Sequence, residues 1–199
     1  MKTLFLASTS PRRRDLLTKA GIPFTLLPLK VSEIPDKNLN VNDQICDIAY
    51  QKVLEAQRLL ENRPKENLPP DYLVLTADTM VVFQDQVLGK PESPDQAIQF
   101  LQSLSGATHL VKTGIVLYRY SDKKILQQLD TTAVHFRNLS QNEILQYVAS
   151  GEPMDKAGAY GIQGAGGTFV HKYEGDFENV MGLSTESVVK MLKELGEWK

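Results

Sequence analysis

One cysteine, one tryptophan and three histidines in 199 residues set the first limits. A single thiol, Cys46, cannot close a disulfide within the chain or build a cysteine-rich zinc site; a reducing compartment follows as the expectation, with Cys46 a small core residue. His109, His135 and His171 lie too far apart in sequence to show metal-ligand spacing. No apolar run is long enough to cross a bilayer, and the N-terminal stretch lacks the uninterrupted apolar core of a signal peptide, so a cytoplasmic protein without membrane contact is expected. Charge of one sign is missing too: 22 Lys and Arg against 24 Asp and Glu leave a formal net charge of -2. That balance argues against stable nucleic-acid binding, and any recognition of a polyanion must be local. Common nucleotide and hydrolase signatures are also absent. Gly89-Lys90 has neither the upstream glycine nor the following Ser or Thr of a P-loop, the glycines from Gly158 onward lack dinucleotide-binding spacing, and no serine sits in a Gly-x-Ser-x-Gly elbow. With no internal repeat, low-complexity tract or evident linker, residues 1–199 read as a single domain with ample material for a core.

What is present reads as alternating helices and strands. Residues 3–7 predict a short buried strand, 11–21 a helix, 24–27 a second strand, and 42–61 a helix on the apolar spacing Ile45, Ile48, Ala49, Val53, Ala56, Leu59, Leu60. Residues 72–83 are apolar on both faces, as in the middle of an α/β sheet, and turn through 84–86 into Val87-Leu88. Ser93-Pro94-Asp95-Gln96 and Ser140-Gln141-Asn142-Glu143 have capping-box spacing and open helices towards Ser105 and Ser150. Between them, 109–120 and 125–136 alternate as two long strands. A last strand near 169–170 and a helix over 184–195, ended by Gly196, complete a mixed α/β fold.

One stretch breaks a rule. Ser10-Pro11 is a helix start, with serine at the N-cap and proline in the first turn. That turn carries unpaired N–H groups and the positive end of the helix dipole, and each cation there costs a few tenths to about one kcal/mol. Here it holds Arg12, Arg13 and Arg14. Donors and cations converging on one point suit a phosphate; three solvated arginines on an amphipathic helix account for the stretch equally well.

A second anomaly is Asp78, within Thr76-Ala77-Asp78-Thr79 at the centre of the most apolar strand. A buried carboxylate there must be paired, hydrogen-bonded or metal-bound. Arg12, Arg13, Glu33, Lys52, Lys90, Asp155 and Lys156 are the other charges in apolar or glycine-rich settings. Phosphoryl transfer needs cations around phosphate oxygens, carboxylates for a hard divalent metal, and a group that orients or deprotonates water. This set contains all three. Singly, Glu33, Lys52 and Lys156 also read as solvated side chains; Asp78 does not. Finally, Gly158, Gly161, Gly164, Gly166 and Gly167 crowd around Gln163, a density of glycine that marks backbone turning sharply or lying against a neighbour.

Together these stretches resemble the Maf family of nucleotide pyrophosphatases. The matching blocks are Leu6-Ala7-Ser8-Thr9-Ser10-Pro11-Arg12-Arg13, Ala77-Asp78-Thr79-Met80-Val81, Leu88-Gly89-Lys90-Pro91, Leu104-Ser105-Gly106 with His109, the run from Glu152 to Gly164, and Val180-Met181-Gly182-Leu183. They occur in family order and span nearly the whole chain. The resemblance implies an α/β fold with a mixed sheet and flanking helices, elongated and two-lobed around a central cleft, similar to inosine-triphosphate pyrophosphatase and commonly a homodimer. It also implies hydrolysis of a nucleoside triphosphate between its α and β phosphates with a divalent metal cation, Mg²⁺ or Mn²⁺. Arg12, Thr79 and Gln163 are similar to the dTTP/UTP subgroup, so dTTP and UTP, or modified pyrimidine nucleotides, are the expected substrates. The alternatives are a 7-methyl-GTP pyrophosphatase and a non-catalytic nucleotide-binding regulator of septum formation.

Carried residue by residue, the resemblance implies Asp78 as the water-activating base and, with Glu33, a metal ligand. Ser8, Ser10, Arg12 and Arg13 would hold phosphates, Lys52 and Lys90 would neutralise developing charge, Thr79 and Gln163 would read the base, and Asp155 and Lys156 would line the substrate. The chain departs from the pattern twice. Gly182-Leu183-Ser184 replaces the usual Gly-Leu-Pro, and Ser32-Glu33 leaves one carboxylate where an acidic pair is common.

Overall fold

The structure is a computed structural model describing residues 1–31, 34–64, 66 and 68–199. Strands β1 (Thr3–Ala7), β2 (Thr25–Leu27) and β3 (Tyr72–Phe83) lie side by side in the order β2-β1-β3, and both pairings with β1 are parallel. Parallel neighbours need crossovers. Helix α1 (Pro11–Lys19) supplies the first and helix α2 (Val41–Glu61) the second. The chain therefore leaves β1 towards one side, then returns to the other, which puts the topological switch between β1 and β3.

Short strand β4 (Gln86–Leu88) turns back antiparallel on β3. The sheet continues from β3 through β5 (Thr108–Arg119), β6 (Ile125–Phe136) and β7 (Val170–Glu174), with β7 antiparallel to β6, giving seven strands. Helices α3 (Pro94–Leu104), α4 (Gln141–Ala149), α5 (Phe177–Met181) and α6 (Thr185–Glu194) complete the mixed α/β fold. Among the described residues no helix is long and apolar enough to cross a membrane.

The chain forms two compact units, Met1–Asp78 with Thr113–Asp130 and Gly182–Lys199, and Thr79–Lys112 with Thr131–Met181. The first has its core where the apolar stripe of α2 meets β1 and β3: Ala49, Val53, Ala56 and Leu60 pack with Phe5, Tyr72 and Val74. The polar interruption of β3 does not break the strand, because helix α2 answers it. Thr76 donates its hydroxyl to the Ala49 carbonyl at 2.6 Å. Cys46, on the same helix, is half-buried rather than a core residue, and burial pushes its thiol up.

The second unit packs α3 and α4 with β4, β5 and β6 around a ring cluster. Phe136 meets His109, Tyr160 and Phe169 edge-on with centroids 4.9, 4.7 and 6.0 Å away. His109 is 1% exposed, and its Nε2 shares a hydrogen bond of 2.8 Å with the Tyr160 hydroxyl. Among the described residues its Nδ1 has no partner. Burial first, then the charge of His135, brings this imidazole from 6.5 down to about 4. Between those values the unfolded chain binds a proton that the folded chain refuses, so stability rises with pH there. The contribution is complete above about pH 6.5 and drains away towards pH 4, for a total of roughly 3 kcal/mol. Urea unfolding at pH 7.5 and 5 should show about 2 kcal/mol of that loss in the native chain and a flatter profile in His109→Gln; equal slopes would exclude His109 as its source.

Local signals placed most boundaries. Ser140 caps α4 with a reciprocal capping box through Glu143. Ser93 accepts from the Gln96 N–H, but the Gln96 side chain returns to Glu92 N–H at 2.6 Å, one residue outside the expected box. Helix α5 had no sequence signal, being a five-residue turn of helix.

Candidate active site

Parallel sheets place ligands outside the carboxyl ends of their strands, at the switch point. Leu6 of β1 pairs with Leu75 of β3; Ser8 follows the carboxyl end of β1, whereas Asp78, three residues beyond Leu75, lies within β3, which continues past the end of β1 to Phe83. The loop after β1 is built by its own serines. Ser10 N–H donates to Ser8 Oγ at 3.1 Å, and Ser10 in turn caps α1 by accepting from Arg13 N–H at 3.5 Å. Ser8 is buried, Ser10, Arg12 and Arg13 are half-buried, and Arg14 is exposed beside Asp15.

The three arginines are thereby separated. Arg13 Nε donates to the Gly182 carbonyl at 2.8 Å, which ties the helix start to the segment before α6. Arg12 has no hydrogen-bond or ion-pair partner among the described residues. A half-buried guanidinium at the positive end of a helix dipole is an anion acceptor.

Asp78 and Lys52 form the most enclosed ion pair of the described residues. Lys52 Nζ stands 2.7 Å from Asp78 Oδ1 and 3.3 Å from the Ala77 carbonyl, with both side chains 9% exposed. Lys52 is not a solvated lysine at the edge of the α2 stripe; it is turned onto β3. Glu33 lies outside the described residues. Those described include no group of three or more His, Cys, Asp and Glu that could hold a metal ion. Asp78 still fits a hard divalent cation of the kind that binds through one or two carboxylates together with substrate phosphates.

The second unit carries the other predicted residues. Thr79 follows Asp78 in β3 and is half-buried, while Lys90, Asp155 and Gln163 are exposed. The run 152–169 winds through three short 3-10 turns. Lys156 Nζ donates to the Glu152 carbonyl at 2.7 Å and to Asp155 Oδ1 at 2.6 Å, so it braces this run. Two side chains that the sequence reading passed over hold the same run, Tyr147 and Glu152. Burial, with Glu152 beside it, pushes the Tyr147 phenol up, so it stays protonated and donates. Glu152 sits at the head of the glycine-rich stretch, and its position there was the available signal.

An open α/β sheet with cations gathered at its switch point is the architecture of proteins that hold anionic ligands. The chain belongs to the Maf family: the family model described as Maf-like protein matches residues 3–195. It is 49% identical to the dTTP/UTP pyrophosphatase of Bdellovibrio bacteriovorus, over 95% of this chain and 96% of that one. With the dTTP/UTP pyrophosphatase of Alkaliphilus oremlandii it shares 42% identity over 92% and 91% of the two chains. The Bacillus cereus protein of the same description is 41% identical over 98% and 96%.

Proposed function

We propose that this chain is a nucleoside triphosphate pyrophosphatase that hydrolyses dTTP and UTP to the monophosphate and pyrophosphate. The observation that carries this reading is near-end-to-end similarity to relatives bearing that description, 49% identical in the first case. The buried Lys52–Asp78 pair supports it chemically. Lys52 occupies Asp78 Oδ1, which leaves Oδ2 as the atom to take a proton from the attacking water. The water oxygen bonds to the α phosphorus, the bond to the bridging oxygen breaks, and pyrophosphate departs with charge offset by Lys52 and Lys90. Ser8, Ser10, Arg12 and Arg13 bind the β and γ phosphates, and Asp155 and Lys156 line the substrate. Gln163 and Thr79 pair with the base edge, since an amide supplies both donor and acceptor. Asp78, with Glu33, would hold a divalent cation, which when bound supplies further neutralisation of phosphate charge. A homodimer, implied by the family resemblance, is part of the reading and is sized by sedimentation.

The decisive experiment is pyrophosphate release across a panel of nucleoside triphosphates with Mg²⁺ or Mn²⁺. Turnover of dTTP and UTP above all others, abolished by a chelator, is expected; preference for 7-methyl-GTP or no release at all overturns the reading. Within it, Arg12→Ala should lower kcat/KM about a hundredfold, whereas Arg14→Ala, at an exposed position, should stay within about twofold. An unchanged specificity constant in Arg12→Ala removes that residue from the phosphate site.

A further inference from the structure

The exposed side chain of Gln163 sits on a turn that is clamped from both sides. Gly164 N–H donates to the Gly161 carbonyl at 3.2 Å, so Ile162 and Gln163 occupy the two central places of a tight turn. Two residues before Gln163, the Gly161 N–H donates to Tyr147 Oη at 3.2 Å. Two residues after it, the Ala165 N–H donates to Glu152 Oε2 at 3.2 Å. The two clamps are one unit, because Tyr147 Oη donates to Glu152 Oε1 at 3.0 Å. The phenol ring is itself seated in the core, edge-on to Phe169 with centroids 4.9 Å apart.

The loop lies directly on this pair. A Cβ at Gly164 would strike the Glu152 carboxylate, and one at Gly166 would come within 2.6 Å of Tyr147 Oη. Neither glycine has positive φ. Their small size is needed for the close approach, not for backbone freedom.

We propose that Glu152 and Tyr147 are positioning residues for base selection: they fix the turn bearing Gln163, so that its amide meets the base edge in one orientation. The proposal rests on the base-reading role given to Gln163 above. An amide on a loose turn serves uracil and cytosine alike by rotating, since the two present reversed donor and acceptor patterns. A held turn favours one of them.

The test compares kcat/KM for UTP and CTP in full-length Glu152→Gln and Tyr147→Phe. Glu152→Gln keeps shape but sets an amide among N–H and O–H donors. Tyr147→Phe deletes one oxygen and keeps the ring packing, so it carries the test if the first variant does not fold. Each is expected to lower the preference for UTP over CTP roughly tenfold or more, chiefly through KM for UTP. Inhibition by inorganic tripolyphosphate, which has phosphates and no base, should keep its strength, and amide exchange at Gly161 and Ala165 should quicken. An unchanged preference in the folded variants overturns the positioning role, as does an equal loss of UTP turnover, CTP turnover and tripolyphosphate inhibition. Gln163→Ala separates the two levels. If it leaves the preference intact, base reading by Gln163 fails and the proposal with it; if it abolishes a preference that Glu152→Gln and Tyr147→Phe retain, only the positioning pair is wrong.

Discussion

Asp78→Asn is expected to lower turnover of dTTP about a thousandfold while nucleotide still binds. Asparagine preserves size and can still accept the hydrogen bond that Lys52 Nζ makes to Oδ1 at 2.7 Å, but it cannot take a proton from water. Loss of a positioned general base removes about 10² to 10⁴ in rate. Binding should survive, because the phosphates are assigned to Ser8, Ser10, Arg12 and Arg13, none of which bonds to Asp78. The substitution also removes the Asp78 charge from beside Lys52, which is 7% exposed. Breaking a buried pair from one side costs about 3–5 kcal/mol when nothing replaces the partner, and the retained amide acceptor should hold the loss below that. Single-turnover kinetics with dTTP and equilibrium dialysis with a non-hydrolysable analogue separate the effects. Near-normal turnover would take the base role away from Asp78.

Lys52→Met tests the other half of the pair. Methionine fills similar space on the buried face of α2 without charge, so packing changes little and the electrostatic role is isolated. Turnover should fall about 10² to 10³-fold, the size seen when a preorganised charge or donor aimed at a developing oxyanion is removed. Stability should fall as well, by about 3–5 kcal/mol, because Asp78 is then a buried charge with no cation. A coupled pair makes a further demand. Lys52→Met with Asp78→Asn carries no buried charge and should melt higher than Lys52→Met alone, with a coupling energy well outside additivity. Additive melting shifts would mean that the two side chains act independently, against the 2.7 Å contact.

Much of the secondary structure was legible because its signals are local. Ser10 before Pro11, Ser140 with Glu143, and the doubly apolar run over 72–83 each declare a boundary within a few residues, where caps, rings and side-chain period act. Ser10, Ser140 and β3 behave as read. The anion-seeking character of Ser8 to Arg13 and the improbability of a lone Asp78 in apolar surroundings were legible for the same reason: each conflicts with its own neighbours. The family was legible because its blocks keep their order along the chain, and the matched residues 3–195 agree.

The sequence by itself thus determined most of the elements, the family, and the suspicion attached to Arg12, Arg13 and Asp78. Only the tertiary structure decided the partnerships. Lys52 and Asp78 are 26 residues apart, and an apolar stripe on α2 fits more than one angle and register on a sheet, so nothing in the stripe says which lysine faces which strand. The same holds for Arg13 with Gly182, 169 residues away. It holds also for Glu152 and Tyr147, whose hydrogen bonds reach Ala165 and Gly161 across a loop with no period to read. Placing β1 between β2 and β3, which creates the switch point where Ser8 follows β1, was likewise a choice of topology. Capping and periodicity are short-range energies that each segment carries with it, whereas these pairings exist only once burial has fixed which surfaces meet.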